Sequence, residues 1–143
     1  MCLNYLIIHS TNTKKNKCIS NDLDVNSLYS DVINIDGNII SLLCNDKSNR
    51  TNNWNLIYND KNIDKETRHI AYVGGINKEN THAKDTRTNE QKETLELYVK
   101  YMIKRHPDLI IAGYNQLKEK SSPAFEVNKW LQEIGVKKKN IFK

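Results

Sequence analysis

Cysteine is scarce in this sequence, and the three present, Cys2, Cys18 and Cys44, are an odd number at unrelated spacings. They supply neither a disulfide framework nor a CxxC metal knuckle, and reduced thiols are the expectation. Long apolar runs are also missing: the longest, such as residues 5–8 and 39–43, span four or five positions, against the roughly 20 needed to cross a bilayer. No membrane partner is expected. A basic n-region followed by a long apolar stretch and a small-residue cleavage site is absent from the start, so the expected location is cytoplasmic, the host cytoplasm for a phage-encoded chain. Acidic residues are outnumbered, 17 Asp and Glu against 22 Lys and Arg, giving a formal charge of +5. This mild bias permits an anionic partner without the concentrated charge of a nucleic-acid-wrapping tail, so nucleic acid is not expected.

What is present suits one domain, since 143 residues with 38% hydrophobic content can fill a modest core. Residues 1–136 form the expected domain, and 137–143, with Lys137, Lys138 and Lys139, an expected basic tail. The β-branched and apolar run 5–9 predicts a buried strand ending at His9, and Asp36-Gly37 between apolar runs predicts a β-hairpin over 31–43. Residues 54–58 can form a short strand, 69–76 a buried strand ending in Gly74-Gly75, and 109–113 another. Thr88 and Gln91 match a capping box, and Leu95, Tyr98, Val99, Met102 and Ile103 repeat at helical spacing to about Arg105. Ser122-Pro123 reads as N-cap and N1 of a last helix over 123–134, with Gly135 just past its end. Strands alternating with two helices predict an α/β domain, a mixed central sheet flanked by helices.

Four landmarks in order, Ile7-Ile8-His9-Ser10-Thr11, Asp36-Gly37-Asn38-Ile39, Tyr72-Val73-Gly74-Gly75-Ile76, and Ala112-Gly113-Tyr114 through Ser122-Pro123-Ala124-Phe125, resemble the zinc-dependent N-acetylmuramoyl-L-alanine amidases of the phage-lysozyme type, whose fold peptidoglycan recognition proteins share. The resemblance implies zinc held by three protein ligands at the positions of His9, Tyr114 and Ser122. A neutral phenol and a serine hydroxyl ionise far above neutral pH and do not replace imidazole and thiolate, so the expected cofactor is none. The resemblance also maps a catalytic tyrosine to Tyr29, a lysine to Lys120, and a substrate-side Trp-His pair to Trp54-Asn55. The interval from His9 to Tyr29 is short, implying a cut-down first helix.

These positions predict a degenerate amidase whose former groove binds an anionic small molecule, a muropeptide or a nucleotide-like immune signal, through His9, Tyr29, Trp54, Tyr114, Lys120 and Ser122. An active amidase with an atypical metal shell and a protein-interaction module are the alternatives, with a protein partner or a homo-oligomer allowed. Each residue also has a structural role open to it: His9 as a buried strand-end histidine, Ser122 as a helix cap, Tyr114 as a cleft-rim aromatic. For His69, His82 and His106, solvated or capping roles suffice. The 20 asparagines, with abundant Lys and Ile, fit a phage or virus of low-GC genome, where such a protein could act as an anti-defence sponge.

Overall fold

The computed structural model describes residues 3–12, 29–41, 54–77, 79 and 81–143. Cys2, Cys18, Cys44, the hairpin beyond Ser41 and residues 13–28, where a cut-down first helix is expected, lie outside these residues.

The β-branched runs become strands. They are β1 (Tyr5–Ser10), β2 (Asp31–Ile33), β3 (Ile39–Ser41), β4 (Ile57–Tyr58), β5 (Lys61–Asn62), β6 (Thr67–Tyr72) and β7 (Ile110–Gly113), with helices α1 (Asn89–Arg105) and α2 (Val127–Glu133). The central sheet has the order β3-β2-β6-β1-β7. Its strands β2, β6, β1 and β7 run parallel and β3 is antiparallel at one edge, while β4 and β5 form a separate ribbon. Asn34 and Asn38 close the predicted hairpin: the Gly37 N–H donates to Asn34 O at 2.9 Å and the Asn34 N–H to Asn38 O at 2.8 Å. Gly37 sits at φ 86°, the left-handed position that a three-residue hairpin loop gives to glycine.

Side-chain alternation divides the core. Leu6 and Ile8 of β1, with Ile70 and Tyr72 of β6, meet Leu95, Val99 and Met102 of α1 and Val127, Trp130 and Leu131 of α2. On the other face Ile7 and Ala112 pack with Leu56 and Ile63, and Val32, Ala71 and Val73 pack with Tyr29. That second face carries His9.

Helix α1 starts as its capping box dictates: Thr88 Oγ1 accepts the Gln91 N–H at 3.1 Å, and Gln91 Oε1 accepts the Thr88 N–H at 2.9 Å. On this helix Tyr98 closes a buried ion pair. Arg68 donates through Nε and Nη2 to Asp31 Oδ2 at 3.1 and 2.9 Å, and Tyr98 and Ser41 hydroxyls donate to the same carboxylate. Burial opposes the Arg68 charge, but Tyr98 and Asp31 raise its pKa above the usual value, and burial pushes the Tyr98 phenol well up.

Two expectations change. Helix α2 begins at Val127, not at Pro123: the Ser122–Pro123 peptide is cis and Ala124 lies at φ 72°, a conformation no right-handed helix contains. Ser122 is therefore not its cap. The end is as expected: Gly135 at φ 86° lets the Val136 N–H reach Leu131 O at 2.9 Å and its own N–H reach Gln132 O at 3.1 Å, a Schellman motif. Residues 137–143 do not run free as a tail. Lys137, Lys138 and Lys139 are exposed, but Asn140 is buried and donates to Pro107 O and Leu109 O. Ile141 then bridges Ile111, with the Phe142 N–H on Ile111 O at 3.1 Å.

Candidate functional site

The parallel strands bring His9, near the end of β1, beside residues that follow or precede neighbouring strands. Tyr114 comes directly after β7, Tyr29 precedes β2, and Trp54 precedes β4. Around the His9 ring stand Trp54 at 4.6 Å, Tyr114 at 4.8 Å, His69 at 5.0 Å and Tyr29 at 5.3 Å between centroids. Trp54 stacks on His69 at 4.9 Å with 25° between planes, and touches Tyr29 and Tyr114. The carboxyl end of parallel strands is the usual ligand side of an α/β sheet.

His69, for which a solvated or capping role is expected, instead lies inside the site. It is 1% exposed, and its Nδ1 lies 2.8 Å from His9 Nε2. The pairing of Ile7 with His69 and of His9 with Ala71 puts both histidines on one face of the sheet. Alternation from Ile70 and Tyr72, which point to the helices, would have placed His69 on the His9 side.

Burial sets the protonation states. It drives the His69 pKa down to about 3 and that of His9 well below 6.5, with His69 adding to the shift at His9. Burial, and then Tyr114, push the Tyr29 phenol up to about 12, and burial raises Tyr114. At neutral pH the ring cluster thus carries no formal charge. The folded-state histidine pKa values lie below the unfolded ones, so the unfolded chain takes up protons below pH about 6.5 that the folded chain does not. Stability is full above that pH and falls below it, by about 2 kcal/mol for His69 between pH 7 and 5 and further down to about pH 3, with His9 acting in the same direction. Denaturant titrations at the two pH values check this. The His9→Gln/His69→Gln variant flattens the profile, and a flat profile in the wild type contradicts the geometry.

The remaining expected residues are placed differently. Ser122 lies behind the rings, where its Oγ accepts the Ser10 N–H at 2.8 Å. Lys120 is exposed, and its N–H donates to Lys118 O at 2.8 Å. Asn55, beside Trp54, faces outward and donates its N–H to Asp64. Tyr29 approaches Ser10 O only at 3.5 Å. Trp54 Nε1 is buried without a hydrogen-bond partner among the described residues, an unusual state for a buried donor.

Zinc was the metal to test. Tyr114 and Ser122 bring hydroxyls, Ser122 Oγ is committed to the β1 backbone, and His9 Nε2 is engaged by His69. No group of three His, Cys, Asp or Glu able to hold a metal ion comes together among the described residues. The donors at the three positions do not fit a zinc shell of imidazole, thiolate or carboxylate.

No family model and no curated protein matches the sequence. Solved structures do match. The endolysin of the Thermus scotoductus bacteriophage Ph2119 is 15% identical, with TM-score 0.65 over 96% of this chain and 87% of that one. Bumblebee PGRP-SA is 16% identical, with TM-score 0.64 over 98% and 84%. A complex of tracheal cytotoxin with the ectodomains of the peptidoglycan recognition proteins PGRP-LCa and PGRP-LCx is 16% identical, with TM-score 0.61 over 98% and 84%. The expected architecture and the expected resemblance are both met: the chain has the mixed-sheet fold shared by N-acetylmuramoyl-L-alanine amidases and peptidoglycan recognition proteins.

Proposed function

We propose that this chain is a non-hydrolytic binding protein that holds a peptidoglycan fragment on the ring cluster around His9. The fold-level link to peptidoglycan supports the ligand class. The observation that carries the reading is the cluster itself: five rings joined through His9 and Trp54 on one face of the sheet, with Trp54 Nε1 buried and without a hydrogen-bond partner among the described residues. A buried donor without a partner costs about 1–3 kcal/mol, and a ligand carbonyl or hydroxyl oxygen at that nitrogen removes the cost. Aromatic faces supply apolar contact for sugar rings and methyl groups.

Hydrolysis has no support in the donor set. In a zinc amidase the metal supplies the activated water, and here Tyr114 and Ser122 take two of the positions the family uses. Tyr29, with its phenol held protonated, is a hydrogen-bond donor to ligand in this reading. The anionic groups of a muropeptide meet the chain's overall positive field. Lys120 contributes through that field alone, so Lys120→Ala changes affinity by about 0.5 kcal/mol or less.

A thermal-shift series tests the ligand class, because a ligand that binds only the native state raises the melting temperature. Muramyl dipeptide and disaccharide-peptide fragments are expected to raise it in a dose-dependent way, and Tyr114→Ala to remove the shift. A series in which nucleotides raise it and no peptidoglycan fragment does would overturn the reading.

A further inference from the structure

On the helical side of the sheet, away from the face that carries His9, residues at the ends of both helices line an open cleft of about 280 Å³. Its apolar floor is Ile103 of α1, Pro107 after it and Val136 after α2, and its rim is Lys100, Lys137 and Lys139. No acidic side chain lines it. Two of the three lysines have carboxylate partners that do not line the cleft. Glu96 holds Lys100 at 2.7 Å with both side chains 40–50% exposed, and Asp108, 97% exposed, stands 3.8 Å from Lys139. Lys137 has no ion pair among the described residues.

Lysines beside helix carboxyl ends answer the exposed carbonyls there, which explains cations in this region. It does not explain a cavity between them. At its side Gly135 is open to this space, since a Cβ built there meets nothing within 4 Å. Three ammonium groups around an apolar floor complement one chemistry: an anionic head on a short apolar body. The volume lies at the lower edge of small-molecule sites, too small for a sugar-peptide chain and sufficient for an acyl or aryl acid.

We propose that this cleft is a second binding site, independent of the ring cluster, for a small organic carboxylate whose apolar part rests on Ile103, Pro107 and Val136. The charged head is shared by the three lysines.

Hexanoate is a suitable probe, with hexan-1-ol and acetate as its apolar and anionic halves, read by backbone amide NMR on the intact chain. Saturable shifts at Ile103, Val136, Lys137 and Lys139 are expected with hexanoate. Affinity should drop at least fivefold in 0.5 M sodium chloride, and each half-probe should bind at least tenfold more weakly. Lys137→Glu/Lys139→Glu, both exposed and outside the core, should abolish the shifts and leave the melting temperature within two degrees. Non-saturating shifts, equal binding of hexan-1-ol, an unaffected double variant, or shifts centred on Trp54 and Tyr114 would each overturn the proposal. Muramyl dipeptide binding, which rests on the ring cluster, should weaken in the double variant only a few-fold, through the reduced positive field, so a failure here is separable from a failure at the ring cluster.

Discussion

Replacing Arg68 by methionine is expected to cost about 3–5 kcal/mol of unfolding free energy, because it strands the Asp31 carboxylate in a dry interior. Both side chains are essentially without solvent exposure, at 1% and 0%. Arg68 satisfies the carboxylate through two of its nitrogens, with Tyr98 and Ser41 adding hydroxyl donors. A domain of this size is stable by about 5–15 kcal/mol, so the variant is partly unfolded at physiological temperature if the starting value is low. The matched change Arg68→Met/Asp31→Leu removes both charges and should recover much of the loss, since a buried pair is often replaceable by apolar groups. Urea unfolding of the four proteins of this cycle gives the coupling directly. A loss under 1 kcal/mol in Arg68→Met would mean that water reaches Asp31.

Trp54 carries the second large effect, and two substitutions there should differ sharply in their effect on stability. Its ring packs against both clusters on the second face of the sheet, one around Tyr29 and Val32, the other around Ile7 and Leu56. Trp54→Ala leaves a hole between them and is expected to cost about 2–4 kcal/mol, with muramyl dipeptide affinity down at least thirtyfold. Trp54→Phe keeps a ring in place but deletes the unpartnered Nε1–H. Without ligand it should be neutral or slightly stabilising, because a costly buried donor disappears. With ligand it should weaken binding by about five- to thirtyfold, the worth of one good buried hydrogen bond. Chemical unfolding and calorimetric titration of both variants separate packing from recognition. Unchanged affinity in Trp54→Phe would show that the indole nitrogen meets no ligand atom.

Local chemistry explains which parts of the fold the sequence announced. Thr88 and Gln91 form their capping box within four residues, Asp36-Gly37 closes a turn with its neighbours, and Gly135 ends α2 through bonds to Gln132 and Leu131. Such features depend on nearby residues alone. The departures are all long-range. Ser122 has the right type and neighbour for a helix cap, but its hydroxyl bonds β1 across 112 positions of sequence. Ile141 is drawn from the expected tail by the free edge of β7. His69 joins the site because parallel pairing puts it two residues out of step with His9, and register is not written in composition. Four of the six expected site residues, His9, Tyr29, Trp54 and Tyr114, do converge, whereas Ser122 sits behind them and Lys120 outside.

The separation between binding and cutting is open to a single measurement. Muramyl dipeptide would be incubated with the protein in one equivalent of zinc, and the ligand's mass recorded alongside the heat of titration. Saturable heat with the ligand recovered at its original mass is the expected result. Release of N-acetylmuramic acid and the free dipeptide, stopped by a chelator, would contradict it and restore a hydrolase built on a metal shell other than His9, Tyr114 and Ser122.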